Sequence, residues 1–258
     1  MKVSYFPGCT LKTKAKELDI YARRSAEALG VTLEEIENWQ CCGGVFTTSN
    51  DEIATKLSSI RALKAAGDKG QPLVSVCSAC HNVLKQTNAQ FNNDADFAFR
   101  VNNYVKPDAY NGETKVIHYL ELLRDVVGFD KIKEKVVNPL TGKKIAAYYG
   151  CLLLRPGKVM AMDDVENPTI MEDFIRAIGA EPVVYAYRNE RCGGYITMES
   201  KELAAAKSKK VSNNAKEKGA ELIVTACPLC KYNLDKNAED IPVVYITELL
   251  AEALGVKE

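Results

Sequence analysis

Short apolar runs alternate with longer amphipathic segments along the whole chain. The runs contain many β-branched and aromatic residues, which predicts buried strands in VSYF, LVSV, VIHY, IAAYY, LIVT and PVVYI. Helical periodicity between them predicts helices over Leu11–Leu29, Asp51–Ala66, Ala79–Phe91, Pro168–Ile178, Met198–Lys218 and Thr247–Leu254. Strands that alternate with helices of this length predict an α/β fold with parallel sheets wrapped by helices.

Glycines and polar stretches supply the predicted ends and connections. Gly30 and Gly179 are well placed to end helices. The polar segments Asn92–Thr114 and Glu134–Lys143 contain Pro and Gly, so we predict a loop and a linker there. The linker puts a boundary near residue 140, between a first unit at 1–140 and a second at 141–258.

Four sequence blocks occur twice in the same order, which indicates an internal duplication. KVSYFPGC and KIAAYYGC open the two halves, and CCGG is matched by RCGG. LVSVCSAC is matched by IVTACPLC, and VIHYLELL by VVYITELL. Thirty-four residues separate Cys42 from Cys77, and the same number separates Cys192 from Cys227. We therefore predict two tandem, pseudo-symmetric repeats, each a parallel-sheet α/β unit.

The charge balance and the lack of long apolar stretches exclude some classes of protein. Lys plus Arg and Asp plus Glu number 34 each, so no overall field favours nucleic acid or an anionic membrane. No apolar run is long enough for a membrane span, and the first residues lack the apolar core of a signal peptide. The expected location is a reducing cytoplasm, where stable disulfides are rare.

Nine cysteines in such a compartment need another explanation, and their positions provide one. Many of them directly follow predicted strands, and the carboxyl ends of parallel strands meet at one edge of a sheet. Thiolate is the ligand of zinc and of iron–sulfur clusters, usually four to a site. The first half supplies five thiols for such an edge site, Cys9, Cys41, Cys42, Cys77 and Cys80, and the second supplies four, Cys151, Cys192, Cys227 and Cys230.

The fifth thiol distinguishes the two predicted sites. A cubane cluster takes one thiolate for each of its four irons, so a fifth must be idle, bridge two irons or accompany another cluster shape. Adjacent Cys41 and Cys42 suit separate irons, and the glycines after them let the backbone approach the metal. Arg191 stands where the first repeat has Cys41. It is either a cation that raises the potential of a cluster or a solvated side chain, and the four thiols fit either a cluster or zinc.

Other interpretations of the motifs explain fewer of the cysteines. A thioredoxin-type dithiol at Cys77 and Cys80 leaves the remaining thiols without a role, and the haem-attachment pattern ending in His81 is absent from the second copy. His118 lies in an apolar run, which favours a buried core histidine. His81 is a candidate for a hydrogen bond to cluster sulfur or for proton relay.

The motifs Cys9, Cys41-Cys42-Gly43 and Cys77-x-x-Cys80 resemble the cysteine-rich CCG domain, and the second half resembles a degenerate copy. Two such domains with FPGC and CCGG most resemble the family of heterodisulfide reductase B subunits, over residues 1 to about 250. The resemblance implies noncubane [4Fe–4S] clusters on five cysteines and a small-molecule disulfide or thiol as substrate. It also implies partners similar to the small iron–sulfur C subunit and the flavin A subunit of that enzyme.

Arg191 departs from this pattern, so the first repeat becomes the catalytic candidate. The resemblance then implies catalysis at the first site, with a second [4Fe–4S] cluster or zinc in the second repeat as a relay or scaffold. CCG domains also occur in other oxidoreductase complexes, and the alternative function is therefore non-catalytic electron transfer to a flavin or quinone partner. A purely structural zinc protein is a third hypothesis.

Overall fold

A computed structural model describes residues 1–44, 53–237 and 241–257. Over that part of the chain the protein is α/β, with two parallel four-stranded sheets. The strands of the first sheet lie in the order β2-β1-β3-β4, and those of the second in the order β6-β5-β7-β8. They are β1 Lys2–Phe6, β2 Thr32–Glu35, β3 Leu73–Ser75, β4 Val116–His118, β5 Lys144–Tyr148, β6 Glu181–Val183, β7 Leu222–Thr225 and β8 Val243–Tyr245.

Helices connect consecutive strands, as parallel pairing requires. In the first repeat they are α1 Gly8–Thr13, α2 Lys16–Ala28, α3 Ala54–Gly67, α4 Ser78–Asn93, α5 Ala95–Val105, α6 Tyr119–Glu121, a π-helical turn Leu122–Val127, and α7 Phe129–Lys135. In the second they are α8 Gly157–Met160, α9 Ile170–Ala177, a 3₁₀ turn Gly194–Ile196, α10 Lys201–Glu217, α11 Pro228–Asn237 and α12 Ile246–Ala253. The part of the chain with known placement contains no helix whose length and apolar character suit a membrane crossing.

The predicted duplication extends to side-chain detail. His118 and Tyr245 close β4 and β8 at equivalent positions, and each backbone N–H donates to a glutamate three residues later. The distances are 2.7 Å to Glu121 and 2.7 Å to Glu248. The two α/β units are therefore copies of one design, as the repeated blocks predict.

Several local predictions need correction. The stretch Asn92–Thr114 is not a loop, because α5 lies within it, begins at an Asp94 cap and buries Phe97 and Val101. The predicted helix Leu11–Leu29 is two helices, divided around Ala15. Of the helix predicted over Asp51–Ala66, the first two residues lie outside the described residues, and most of the remainder belongs to α3.

The two repeats share one hydrophobic core, and the last segment of each repeat packs against the other repeat. Helix α12, which ends the second repeat, packs on α2 of the first, where Thr247 Oγ1 donates to the Leu18 carbonyl at 3.1 Å. In the other direction, Arg124 from the end of the first repeat donates to the Met162 carbonyl at 2.8 Å. Each repeat is thus covered by the last segment of the other.

Candidate metal centres

The cysteines of the first repeat lie where three neighbouring strands end. Cys9 is in the first turn of α1, directly after β1. Cys77 caps α4 directly after β3, and Cys80 is in the first turn of that helix. Cys41 and Cys42 belong to the loop that follows β2. Because the three strands are parallel neighbours, all five thiols arrive at the same edge of the sheet.

The five thiols form one connected group. The sulfur atoms of Cys41 and Cys9 lie 3.4 Å apart, as do those of Cys42 and Cys80. Cys77 interacts with Cys80 through a side-chain hydrogen bond, and Cys42 does so with Cys41. Cys9 and Cys41 are exposed, whereas the other three are buried. The structure therefore brings the five together, and their role as metal ligands remains a prediction.

Two glycines allow the sulfur atoms to approach the strand ends. Gly8 and Gly150 occupy equivalent positions, with φ of 78° and 63°. A Cβ at Gly8 would lie 2.7 Å from Cys80 Sγ, and one at Gly150 would lie 3.1 Å from Cys230 Sγ. The glycines thus supply both the left-handed backbone and the space that the second cysteine of each Cys-x-x-Cys motif occupies.

The second repeat places four thiols in the same way. Cys151 follows β5, Cys227 follows β7, and Cys192 lies in the loop after β6. Cys230 interacts through hydrogen bonds with both Cys192 and Cys227. Arg191 is exposed, and its positive charge lowers the pKa of Cys151, which burial raises more strongly. Arg191 therefore acts electrostatically on Cys151, which is the counterpart of Cys9, whereas Cys41 contacts Cys9 directly.

A cavity of about 140 Å³ opens at this second site. Four thiols and mainly apolar groups line it, together with two cations, Arg191 and Lys207. Residues of the first repeat also take part, because Ser78 belongs to the lining. The cavity therefore lies where the two repeats meet.

The thiols are poised to share negative charge. Hydrogen bonds from Cys41 and then Cys80 lower the pKa of Cys42 to about 3, although burial opposes this. Hydrogen bonding to Cys42 raises the pKa of Cys41. In the second repeat, bonds from Cys230 and Cys77 lower the pKa of Cys227. Each group of thiols can thus hold a thiolate, the form of cysteine that binds metal.

The backbone around Cys192 is held by a buried polar network that sequence reasoning missed. Asn233 Nδ2 donates to the Cys192 carbonyl at 2.6 Å, and Ser208 Oγ donates to it at 3.0 Å. In the first repeat, Ser58 Oγ donates to the Cys41 carbonyl at 3.2 Å. Ser58 and Ser208 lie equally far after Cys42 and Cys192, so the repeat spacing was the available signal for the serines.

Both histidines are buried beside the first site. His118 Nε2 lies 3.0 Å from the Val76 carbonyl, and burial lowers the pKa of His118 to about 3. His81 Nε2 lies 3.3 Å from a carboxylate oxygen of Glu121. Burial alone would raise the pKa of Glu121, but His81 and then Lys85 lower it to about 2. His118 is thus the buried core histidine that the sequence predicts, and His81 faces a carboxylate.

The thiol groups are the kind of donor that an iron–sulfur cluster requires. Thiolate sulfur is the usual protein ligand of such clusters, and Gly194 N–H already points at Cys192 Sγ from 3.4 Å. Across residues 1–44, 53–237 and 241–257, no three His, Cys, Asp or Glu side chains form a group that could hold a metal ion. A cluster is a body of several atoms, and its thiolates bind separate irons around it.

Comparison with known proteins gives a consistent assignment. A family model described as a cysteine-rich domain, CCG, matches residues 3–85 and 145–235. The chain is 31% identical to the 8-methylmenaquinol:fumarate reductase membrane anchor subunit of Wolinella succinogenes, over 98% of this chain and 92% of that protein. It is 27% identical to a protein of Archaeoglobus profundus described as similar to the B subunit of heterodisulfide reductase, over 99% and 91% of the two chains.

A third relative and a solved structure extend the comparison. The B subunit of the ferredoxin/F420H2-dependent CoB-CoM heterodisulfide reductase of Methanosarcina acetivorans is 27% identical, over 98% of this chain and 89% of its own. A crystal structure of a hypothetical protein from Helicobacter pylori has the same fold, with a TM-score of 0.75 at 11% identity. This chain is covered to 98% and spans 49% of that one. The matched repeats, with their cysteines at the strand ends, show that this chain belongs to the CCG cysteine-rich domain family.

Proposed function

We propose that this protein is the iron–sulfur catalytic subunit of a heterodisulfide reductase-like complex. Its first repeat would hold a noncubane [4Fe–4S] cluster on Cys9, Cys41, Cys42, Cys77 and Cys80, and the substrate would be a small disulfide or the corresponding thiols. The observation that carries the proposal is the connected group of five thiols, one more than a cubane cluster needs.

The exposure of the thiols suggests how the work is divided among them. Cys42, Cys77 and Cys80 are buried and form the fixed part of the site. Cys41 is exposed and lies 3.4 Å from Cys9, which is also exposed, so these two face an incoming substrate. Cys41 is the thiol that can move without uncovering the core. A bound cluster would supply the electrons for the reaction.

The reaction has a simple balance. A disulfide accepts two electrons and two protons, its S–S bond breaks, and two thiols result. The chain's contribution is to present the exposed Cys9 and Cys41 to the disulfide and to keep the other three ligands buried at the same edge of the first sheet. In the second repeat, Cys151, Cys192, Cys227 and Cys230 would hold a [4Fe–4S] cluster or zinc, beside the cation of Arg191.

The first prediction tests the fifth thiol. In anaerobically purified protein, Cys41→Ala and Cys42→Ala should lose disulfide reduction while the circular dichroism spectrum stays native, because the strands and the hydrophobic core still define the fold. Arg191→Ala, at the position equivalent to Cys41, is the matched control and should retain reduction. The proposal fails if both cysteine variants reduce disulfides at the wild-type rate.

A second candidate function is electron transfer without disulfide chemistry. It is favoured by the relative at 31% identity, whose name places it in an 8-methylmenaquinol:fumarate reductase. The chain would then pass electrons within a flavin-dependent oxidoreductase complex. A panel of low-molecular-weight disulfides, supplied with a chemical reductant, separates the two functions. So does electron paramagnetic resonance (EPR) of the oxidised protein, in which added thiol changes the signal only if the site binds substrate.

In both cases we propose a cytoplasmic, multi-subunit setting. The expected partners resemble the flavin A subunit and the small iron–sulfur C subunit of heterodisulfide reductases, in keeping with the relatives whose names refer to such complexes. Iron together with acid-labile sulfide in the purified protein excludes the zinc-only hypothesis.

A further inference from the structure

One tyrosine lies between the two predicted metal sites. Tyr245 ends β8 and is completely buried. Its hydroxyl lies 2.8 Å from the Val76 carbonyl and 2.8 Å from the Ala226 carbonyl. Those two carbonyls belong to different repeats, and the peptide groups that contain them lead directly into Cys77 and Cys227. The hydroxyl has one proton, which it shares between the two carbonyls in a bifurcated hydrogen bond, and it therefore bridges the loops that begin both Cys-x-x-Cys motifs.

Other donors reinforce this bridge. The Leu120 N–H donates to His118 Nδ1 at 3.1 Å, so the proton of this neutral imidazole is on Nε2, which donates to the Val76 carbonyl at 3.0 Å. The Ala226 carbonyl also accepts from Ser78 of the other repeat, from Oγ at 2.7 Å and from the backbone N–H at 3.2 Å.

We call Val76, Ser78, His118, Ala226 and Tyr245 the inter-repeat junction. All five residues are buried. Beside them, the thiols of Cys77 and Cys227 interact across the boundary through a side-chain hydrogen bond. Hydrogen bonds in such a desolvated setting are stronger than in water, and a carbonyl left without its donor is costly. The junction is therefore stiff and lies directly between the two candidate centres.

We propose that Tyr245 is a positioning residue that couples the two centres. By holding the Val76 and Ala226 carbonyls with one hydroxyl, it fixes the two cysteine loops relative to each other, so that a change at one loop is transmitted to the other. His118, at the equivalent position of the first repeat, supports the same pair of loops. This goes beyond the proposed function, which uses the thiols of each repeat separately.

Amide hydrogen exchange followed by mass spectrometry tests the coupling without relying on activity. Tyr245→Phe removes only the bridging hydroxyl, and exchange should become about tenfold faster both in residues 73–80 and in residues 222–230, as loss of roughly one buried hydrogen bond predicts. Tyr119→Phe is the matched control, because Tyr119 is equally buried and its hydroxyl donates to the Ala22 carbonyl at 2.9 Å. It should leave both segments unchanged.

Redox titration of the metal-loaded protein adds a readout that a merely structural role would not affect. Where both sites hold iron–sulfur clusters, the midpoint potentials of both should shift in Tyr245→Phe, whereas in Tyr119→Phe neither should. Faster exchange or a shifted potential in only one repeat, or equal effects of the two variants, would overturn the proposal. If Tyr245→Phe does not fold, Ser78→Ala replaces it, since it removes another donor to Ala226 and should also loosen both segments. The exchange result stands even if disulfide reduction is not the function.

Discussion

The loops that carry Cys41-Cys42 and Arg191-Cys192 are equivalent in the fold but differ in their anchoring. In the first repeat, Ser58, which is partly exposed, donates to the Cys41 carbonyl. In the second, the Cys192 carbonyl accepts two bonds, from Ser208 and Asn233, which are both buried. Among the described residues, the loop of the second repeat, which lacks the additional thiol, therefore has the more deeply buried anchors.

This difference shows that a duplicated scaffold can keep its strands while its two sites diverge. An exposed fifth thiol on a loop with a partly exposed anchor suits a site that exchanges ligands with a substrate. A four-thiol site with a rigid loop and a permanent cation suits a centre that stays unchanged as electrons pass. The comparison can be tested at three pairs of positions.

The largest effect is expected from adding a methyl group beneath each site. Gly8→Ala imposes a left-handed conformation on alanine, at about 1–3 kcal/mol, and its Cβ would lie 2.7 Å from Cys80 Sγ. Iron content of the first site should fall sharply, because Cys80 must move. Gly150→Ala has the same backbone cost, but its 3.1 Å approach to Cys230 Sγ requires a smaller shift.

Iron analysis and EPR of the two glycine variants provide the measurement. Each substitution should weaken the signal of its own repeat, and Gly8→Ala should have the greater effect. Equal losses, or a larger loss in Gly150→Ala, would show that the sulfur approach does not control loading.

The anchoring itself is tested by removing one donor from each loop. Asn233→Ala leaves the buried Cys192 carbonyl with one fewer donor and should lower the free energy of unfolding by about 1–3 kcal/mol. Ser58→Ala, on the more exposed loop, should cost roughly 0.5 kcal/mol. Denaturant unfolding of the purified variants measures both values. Similar losses would show that the burial of the anchor does not decide how much it stabilises the loop.

The smallest effect concerns pH. It arises because the first repeat has a titratable histidine, His118, at the position where the second repeat has Tyr245. Unfolded His118 takes up a proton near its ordinary pKa of 6.5, whereas burial lowers the folded value to about 3. The unfolded state therefore gains the proton first as the pH falls. Stability is complete above pH 6.5 and declines below it by at most about 1.4 kcal/mol per pH unit for this group.

His118→Gln isolates that contribution, because glutamine can still donate to the Val76 carbonyl but does not titrate. The slope of unfolding free energy against pH, between pH about 6.5 and 5, should be shallower in this variant than in the wild type. Identical slopes would mean that His118 is not held neutral in the fold. The equivalent Tyr245 keeps its proton throughout this range, since burial raises its pKa.

The central strands and the cysteine edge could be predicted because their signals were strong. The runs that became β1, β3, β5 and β7 are rich in apolar residues and buried on both faces, and cysteines follow them closely. Two edge strands were missed, β2 with the sequence TLEE and β6 with the sequence EPV. An edge strand that is covered on one side needs few apolar residues, so its sequence lacks the apolar run that marks a buried strand. Helix α5 was missed because its polar residues outnumber the two that it buries.

Other features were invisible because they depend on contacts between distant segments. Asn233 corresponds to Val83 in the first repeat, so the duplication gave no hint of its role. The bridge at Tyr245 joins residues up to 169 positions apart, and no local pattern reports it. Recognising equivalent positions in the repeats did reveal Arg191, since a substitution is conspicuous only against its copy.

The exchange of closing segments has a consequence for how such a protein can evolve. Helix α12 covers α2, and Arg124 donates to the Met162 carbonyl. A gene split at the linker would therefore yield two fragments that each lack the segment covering them and expose apolar surface. The halves must therefore be inherited together. Under that constraint one copy can differ at a position of its site, as Arg191 does from Cys41, and still be retained because it covers the apolar surface of the other copy.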